Sequence, residues 1–204
     1  MRKLLVASTN PGKIREIREG FLGDAEIEVL SLRDFPNIGE IEETGTTYEE
    51  NARLKVRHVF EKTGIPSLGD DGGFEVEYLG GEPGIRSHRY LGGAATDHDR
   101  ALGILKLLEG VPGDKRGARL GSLMAFYDGK AFYTSQHWVQ GRIPESLDPS
   151  KIQDGFPYRC VLFIEEAQKL YADLNSAEAQ ALNPRIRNLQ ALKPRILGSL
   201  EAVD

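Results

Sequence analysis

The sequence predicts an α/β fold in which a mixed β-sheet is flanked by helices. Three observations support this fold class. An apolar run near the N-terminus leads through a polar turn into a helical pattern, further helical patterns alternate with strand-like segments, and a long hairpin turns at Asp128-Gly129. Helices interleaved with strands and one long hairpin are typical of a mixed sheet. A chain of 204 residues forms one or at most two such domains.

The first elements are a strand, a tight loop and a helix. Leu4–Ala7 is a compact apolar run that predicts a buried strand, and Pro11 suits an early helical position with Asn10 or Thr9 as N-cap. The helix is predicted from three apolar residues at helical spacing, Ile14, Ile17 and Phe21. A second strand follows, because apolar residues alternate with glutamates around Val29.

The next helix is predicted from an N-cap at Thr46 or Thr47 to about Lys62. The segment SLGDDGGFEVEYL predicts two short strands broken by Gly72 and Gly73. Beyond them we expect a helix over Thr96–Leu108, the hairpin, a strand over 157–165 and helical structure from about Ser176 to the end.

Composition limits the classes of partner. The net charge is −5 and no run of Lys or Arg is long, which argues against a nucleic-acid polymer but leaves room for a small polyphosphate. No apolar stretch approaches the roughly 18–20 residues that cross a bilayer, so we expect no membrane association. Cys160 is the only cysteine, which suits a reducing compartment, and the predicted location is cytoplasmic.

The first candidate site is the polar turn between strand and helix. A helix N-terminus attracts phosphate through its unpaired N–H groups and its dipole, and a lysine adds a full charge. An ordinary capped turn would have the same composition, and the spacing is not that of a Walker A loop. The candidate residues are Ser8, Thr9, Asn10, Pro11, Gly12 and Lys13.

Two acidic pairs are the second and third candidates. Glu42 and Glu43 precede a helix, where carboxylates usually are solvated charge. Asp70 and Asp71 come before a glycine pair, where they are either a turn or ligands of Mg²⁺, one of them serving as a base toward water. Together with Lys55 on the helix and the polar turn, they supply the parts that phosphoryl chemistry needs.

These segments carry a family resemblance. ASTNPGKIREI, EETGTTYEENARLKVRH and LGDDGGFEVEYLGGEPGIRSHRY, with the helix and hairpin that follow, resemble the inosine triphosphate pyrophosphatase family in order and spacing up to about Glu145. Members of that family hydrolyse non-standard purine nucleoside triphosphates such as ITP, dITP and XTP to the monophosphate and pyrophosphate. The resemblance implies an elongated mixed sheet with two lobes, one domain over 1–204, an active site in the cleft between the lobes, and a homodimer.

The resemblance also implies roles for single residues. Ser8–Lys13 would hold the phosphates with help from Lys55, and Asp71 would be the catalytic carboxylate. Gly72 stands where many members have Ser, so only its backbone could make that contact. The Mg²⁺ ligands would come from the acidic residues Glu42, Glu43, Asp70 and Asp71.

The C-terminal third departs from the family pattern. The family shows Phe-Gly-Tyr-Asp-Pro and later Ser-His-Arg, whereas this chain has FPYRC at 156–160 and Asn-Pro-Arg at 183–185. Phe156, Tyr158 and Arg185 persist as candidate substrate contacts, but Arg159 and Pro184 replace an acid and a histidine. We therefore expect a magnesium-dependent pyrophosphatase with an altered base preference. An ordinary ITP/XTP pyrophosphatase, or a nucleotide-binding regulatory protein without catalysis, are the alternatives.

Overall fold

The computed structural model describes residues 1–24, 26–39 and 41–201. Five α-helices lie in this part of the chain: α1 (Pro11–Gly20), α2 (Tyr48–Thr63), α3 (Asp97–Leu107), α4 (Ser176–Leu182) and α5 (Pro184–Glu201). Its strands are β1 (Arg2–Val6), β2 (Ile27–Ser31), β3 (Ser67–Val76), β4 (Pro83–Gly84), β5 (Gly117–Tyr127), β6 (Phe132–Arg142), β7 (Phe163–Ile164) and β8 (Lys169–Leu170).

The strands form one mixed sheet in the order β2-β1-β3-β5-β6-β7-β8, with β4 paired to β3. β1 is parallel to both β2 and β3, with Leu4 opposite Val29 and Val6 opposite Leu68. The pairs β3–β4, β6–β7 and β7–β8 are antiparallel. The predicted α/β fold with a mixed sheet flanked by helices is confirmed.

Two compact units make up the described chain. The first comprises residues 1–71, 122–137 and the segment from Arg185 onward. Within it, Leu4 and Val6 of β1 pack with α1 and α5, whereas Leu5 packs with α2. Because successive side chains of a strand point to opposite faces, α1 and α5 cover one face of β1 and α2 covers the other.

The second unit comprises residues 72–121 and 138–184 and has its own apolar core. Phe74 and Val76 from the end of β3 pack there with Ile104 of α3 and with the buried segment Cys160–Leu162. That two lobes enclose a cleft stays a prediction.

Strand β3 corrects one expectation. The glycine pair was expected to separate two short strands, but Ser67–Val76 is one strand of ten residues. Backbone pairing with neighbouring strands keeps Gly72 and Gly73 extended, because sheet context outweighs the local preference of glycine. Asp70 and Asp71 therefore lie inside a strand and not at its end.

The C-terminal region differs in two further details. The strand expected over 157–165 is reduced to β7, because Arg159–Val161 forms a 3-10 turn. The helical segment is interrupted between α4 and α5, where Pro184 cannot donate a backbone hydrogen bond to α4 and instead begins the next helix.

Helix α5 is anchored to the first unit by a buried amide. The Asn188 Nδ2 atom donates to the Ser122 carbonyl at 2.7 Å and to its Oγ at 2.9 Å. The Asn188 Oδ1 atom lies 2.7 Å from Nδ1 of His137. These bonds fix the first turns of α5, which carry Arg185. Across the described residues, no helix is both long and apolar enough to span a bilayer.

Candidate active site

The polar turn after β1 is held by its own side chains. Asn10 is the N-cap of α1, since its Oδ1 accepts a hydrogen bond from the backbone N–H of Lys13 at 3.1 Å. The backbone N–H of Asn10 in turn donates to Ser8 Oγ at 3.1 Å, and Pro11 occupies the first helical turn. The Thr9 carbonyl accepts from Arg33 Nε at 2.9 Å. The predicted strand, capped turn and helix are present, and their phosphate contacts stay a prediction.

Asp70 is a buried carboxylate held by two cations. Its side chain is 1% exposed, and its Oδ2 lies 2.9 Å from Lys13 Nζ and 3.1 Å from Arg185 Nη2. Burial alone would raise the pKa of Asp70, but the charges of Arg185 and then of Lys13 outweigh it and hold the pKa well below its usual range. Its Oδ1 is buried without a hydrogen-bond partner.

Arg185 is itself shared between two acids. Its Nη1 lies 2.5 Å from Glu16 Oε2 on α1, and Arg185 and Glu16 stand 169 residues apart in the chain. Burial lowers the pKa of Arg185, but the carboxylates of Asp70 and Glu16 raise it by more. The net pKa is raised, so Arg185 stays charged. Arg185 thus ties α5 to α1 and β3.

Asp71 occupies the opposite face of β3. Leu68 packs with the cluster that contains α1, so strand alternation places Asp70 toward α1 and Asp71 toward α2. Lys55 of α2 meets Asp71 there, with Nζ 2.8 Å from Asp71 Oδ1. The two carboxylates therefore pair with different cations, but the two ion pairs lie side by side, since Lys13 and Lys55 both donate to the Asp70 backbone carbonyl, at 3.1 and 3.5 Å.

Lys55 bridges two acids in the same way as Arg185. Its Nζ lies 2.6 Å from Glu43 Oε1 as well as 2.8 Å from Asp71. Burial would lower the pKa of Lys55, but the charges of Asp71 and Glu43 raise it. Burial raises the pKa of Asp71, opposed by the charges of Lys55 and Lys13.

Two residues that the sequence did not single out position this face. A Cβ on Gly69 would lie 2.8 Å from Val56 Cγ1, so glycine lets β3 approach α2 closely enough for Lys55 to reach Asp71. Asn51 is fully buried, accepts from the Gly45 N–H at 2.8 Å and donates to Asp71 Oδ2 at 3.4 Å. Asn51 lies one helical turn before Lys55, and this spacing was the signal in the sequence that could have identified it.

The predicted metal ligands are only partly brought together. Glu43 and Asp71 meet through Lys55, whereas Glu42 is exposed. Over the described ranges, no three His, Cys, Asp or Glu side chains form a metal-binding group. The unpartnered Oδ1 of Asp70 and the carboxylates of Glu43 and Asp71 nevertheless fit Mg²⁺, which is usually held by one or two carboxylates together with substrate phosphates and water.

The predicted base-binding residues lie in the second unit and are mostly buried. The ring of Tyr158 stacks on Phe74 at 4.8 Å between centroids, and its hydroxyl donates to the Ser87 carbonyl at 2.7 Å. Burial raises the pKa of Tyr158 far above its usual range. The guanidinium of Arg159 lies over the Phe156 ring, 3.5 Å from its centroid. Tyr158 thus serves the core, and a ring face of Phe156 is covered by Arg159.

Gly72 begins the second unit immediately after Asp71, inside β3. Because glycine has no side chain, this position offers backbone contacts only, as the sequence indicated. Its contact with substrate stays a prediction, as do those of Phe156, Tyr158, Arg159 and Arg185.

Comparisons with known proteins show which proteins the chain is similar to. The family model described as Ham1 family matches residues 4–195. The chain is 38% identical over 203 residues to a dITP/XTP pyrophosphatase of Caldanaerobacter subterraneus subsp. tengcongensis, with 98% of this chain and 99% of that protein covered. It is 37% identical over 196 residues to a dITP/XTP pyrophosphatase of Vibrio parahaemolyticus, with 94% and 95% covered.

Among solved structures, the chain is similar to a HAM1 protein from Coxiella burnetii. The TM-score is 0.83 at 31% sequence identity, and the match covers 97% of this chain and 100% of that one. The family model, the curated relatives and the solved structure agree over nearly the full length. The chain therefore belongs to the Ham1 family, which confirms the resemblance drawn from its sequence.

Proposed function

We propose that the protein hydrolyses non-standard purine nucleoside triphosphates such as ITP, dITP and XTP to the monophosphate and pyrophosphate. The relatives named above are dITP/XTP pyrophosphatases and match over nearly the whole chain. The observation that carries the proposal for this chain is the pair Asp70-Asp71 on β3, flanked on opposite faces by Lys13 and Lys55.

The triphosphate is bound by the two lysines and by the start of α1. Lys13 stands in the first turn of α1, where helix N–H groups and the dipole favour an anion. Lys55 approaches from a different helix, α2. Two lysines on separate elements suit an extended chain of phosphates better than a single terminal phosphate.

Asp71 acts as the general base toward the attacking water. Burial raises its pKa toward the range in which a carboxylate accepts a proton more readily. Lys55 and Asn51 hold its two oxygens, so the carboxylate is oriented before substrate arrives. Attack at the α-phosphorus releases pyrophosphate as the leaving group.

The same carboxylates supply the ligands of Mg²⁺. Asp70, Asp71 and Glu43 are the residues that would hold it, and the ion would neutralise charge that develops on the phosphate oxygens. Glu42 is exposed and would contribute through water. The residues of the chain orient the phosphates and accept the proton.

The residues that would recognise the base are those at which this chain differs from the family pattern. Arg159 stands where the family pattern has an acid, and its guanidinium lies 3.5 Å from the centroid of Phe156 and 5.1 Å from that of Tyr171. An arginine stacked in this way can donate to the 6-keto edge of a purine. We infer a 6-keto purine preference that is weaker than in relatives with the full family pattern.

A panel of triphosphates tests the proposal. Pyrophosphate release is measured with Mg²⁺ for ITP, dITP, XTP, GTP and ATP, and with EDTA as the control. We expect turnover of the 6-keto non-standard substrates at higher kcat/KM than ATP, and its loss in EDTA. Tight triphosphate binding without turnover would support the regulatory alternative instead.

We also propose that the protein is a cytoplasmic homodimer, as the family resemblance implies. Cys160 is a buried free thiol, which suits a reducing compartment. Light scattering of the purified chain at micromolar concentration tests the dimer, and a mass equal to the 22.6 kDa monomer would contradict it.

A further inference from the structure

The acidic residues of the site are neutralised by the protein's own cations. Lys55 bonds to Glu43 at 2.6 Å and to Asp71 at 2.8 Å, and its side chain is only 10% exposed. An ammonium group placed between two carboxylates takes the position in which a divalent cation would otherwise compensate their charge. Lys55 is thus an internal counterion of this face of β3.

The other face shows the same balance. The Oδ2 atom of Asp70 is taken by Lys13 and by Arg185, and Arg185 also neutralises Glu16. Across both faces, ion pairs between described residues join the four carboxylates of Asp70, Asp71, Glu43 and Glu16 to the three cations Lys13, Lys55 and Arg185. The Oδ1 atom of Asp70 is the one oxygen of these two aspartates that is buried without a partner.

Mg²⁺ gives up its water reluctantly and needs dense negative charge to do so. Carboxylates that are already paired with ammonium and guanidinium groups offer a bare ion little of that charge. A triphosphate changes the balance, because its oxygens accept hydrogen bonds from Lys55 and Lys13 and release the carboxylates that those lysines hold.

We propose that Lys55 prevents metal binding to the nucleotide-free protein, so that Mg²⁺ enters only together with the triphosphate. The inference rests on the proposed function, because it uses the same carboxylates, but it concerns the order of binding and not the reaction. As a consequence, the nucleotide-free enzyme carries no bound metal ion.

The test is a titration with Mn²⁺, followed by the electron paramagnetic resonance signal of the free hydrated ion. Wild type is expected to leave the signal unchanged at submillimolar Mn²⁺ without nucleotide, and, with α,β-methylene ITP, to reduce it further than the same concentration of the analogue does without protein. Lys55→Met should bind Mn²⁺ alone at least about tenfold more tightly than wild type, because a full positive charge leaves two carboxylates about 3 Å away.

Two variants make the titration specific. Lys62→Met removes an exposed lysine from the same helix and should behave as wild type. Lys55→Gln keeps a hydrogen-bond donor but no charge, and it should also gain Mn²⁺ affinity, which covers the case in which the methionine variant does not fold. Folding is checked by circular dichroism.

Wild type that binds Mn²⁺ equally well with and without the analogue would overturn the proposal, as would folded Lys55 variants with no gain in Mn²⁺ affinity. Because no turnover is measured, these outcomes are independent of whether ITP is hydrolysed. A protein that binds metal as proposed but releases no pyrophosphate would contradict only the proposed function.

Discussion

The two faces of β3 and the segment around Tyr158 use buried polar side chains in different ways. On β3, Asp70 and Asp71 are each held by cations from other elements, so the charges are fixed before any ligand binds. In the segment, Tyr158 and Phe156 are packed among aromatic and cationic groups, and one backbone carbonyl satisfies the Tyr158 hydroxyl. The first region thus consists of buried ion pairs, whereas the second consists mainly of packed aromatic rings.

The difference indicates which of these two regions is tolerant of change. A buried ion pair loses several kcal/mol when one partner is removed, because the remaining charge is left without compensation. A stacked cation on an aromatic ring loses much less. We therefore expect substitutions on β3 and its partners to have large effects on either the free energy of unfolding or the rate of hydrolysis. Substitutions near Phe156 should change the selectivity for the base.

The largest effect is expected from Arg185→Met. It leaves Asp70 and Glu16 buried with fewer cations, so the free energy of unfolding should fall by about 3–5 kcal/mol. Arg187→Met removes an exposed arginine from the same helix and should stay within about 0.5 kcal/mol of wild type. Urea denaturation of both variants measures the contrast, and equal effects would show that the buried pairs add nothing.

Asp71→Asn is expected to separate catalysis from stability. The rate should fall by about two orders of magnitude, the usual scale for a general base. The melting temperature should change little, because Lys55 keeps Glu43 as its partner.

Glu75→Gln is the matched control for that variant, since Glu75 lies on the same strand and pairs with Arg119 on the surface. It should retain activity. Near-full activity of Asp71→Asn would remove Asp71 from its proposed role.

The pH dependence of kcat/KM sharpens the account of Asp71. Burial raises its pKa, and the charge of Lys55 opposes that rise. In Lys55→Met the larger part of that opposition is gone and only the charge of Lys13 remains, so Asp71 keeps its proton to higher pH and the acidic limb of the profile should move to higher pH. Lys62→Met should leave the limb in place, and a limb that moves to lower pH in Lys55→Met would contradict this assignment.

The smallest effect is expected from Arg159→Ala. Loss of a guanidinium that stacks on Phe156 should lower the ratio of kcat/KM for ITP over ATP by roughly two- to fivefold. The comparison with GTP shows whether the 6-keto edge is what Arg159 recognises. A strong ITP preference that the variant leaves untouched would return the protein to the ordinary specificity of its family.

Local signals in the sequence predicted local structure well. Asn10 and Thr47, each one of two alternatives that the sequence left open, cap their helices, because an N-cap bond joins residues two or three positions apart. The same signals misjudged the glycine pair of β3, where pairing between distant strands decides the conformation. The fold class and the caps were thus predictable, whereas the continuity of β3 was not.

The candidate site was predictable in its residue types but not in its pairing. Asp70 and Asp71 are predicted metal ligands, but their sequence did not show that strand alternation turns the two carboxylates to opposite faces, each with its own ion pair. The partner of Arg185 is Glu16, and 169 intervening residues leave no sequence signal for that contact. Gly69 acts through the space it leaves free, which only the packed structure reveals.

Hydrolysis of ITP in water enriched in ¹⁸O is the most direct test of the central claim, that the site on β3 directs water to the α-phosphorus so that pyrophosphate leaves. The products are identified by mass spectrometry after turnover with Mg²⁺, with a pyrophosphatase-free preparation. The account predicts IMP that carries one ¹⁸O atom and pyrophosphate that carries none. IDP with labelled orthophosphate, or label in the pyrophosphate, would contradict it.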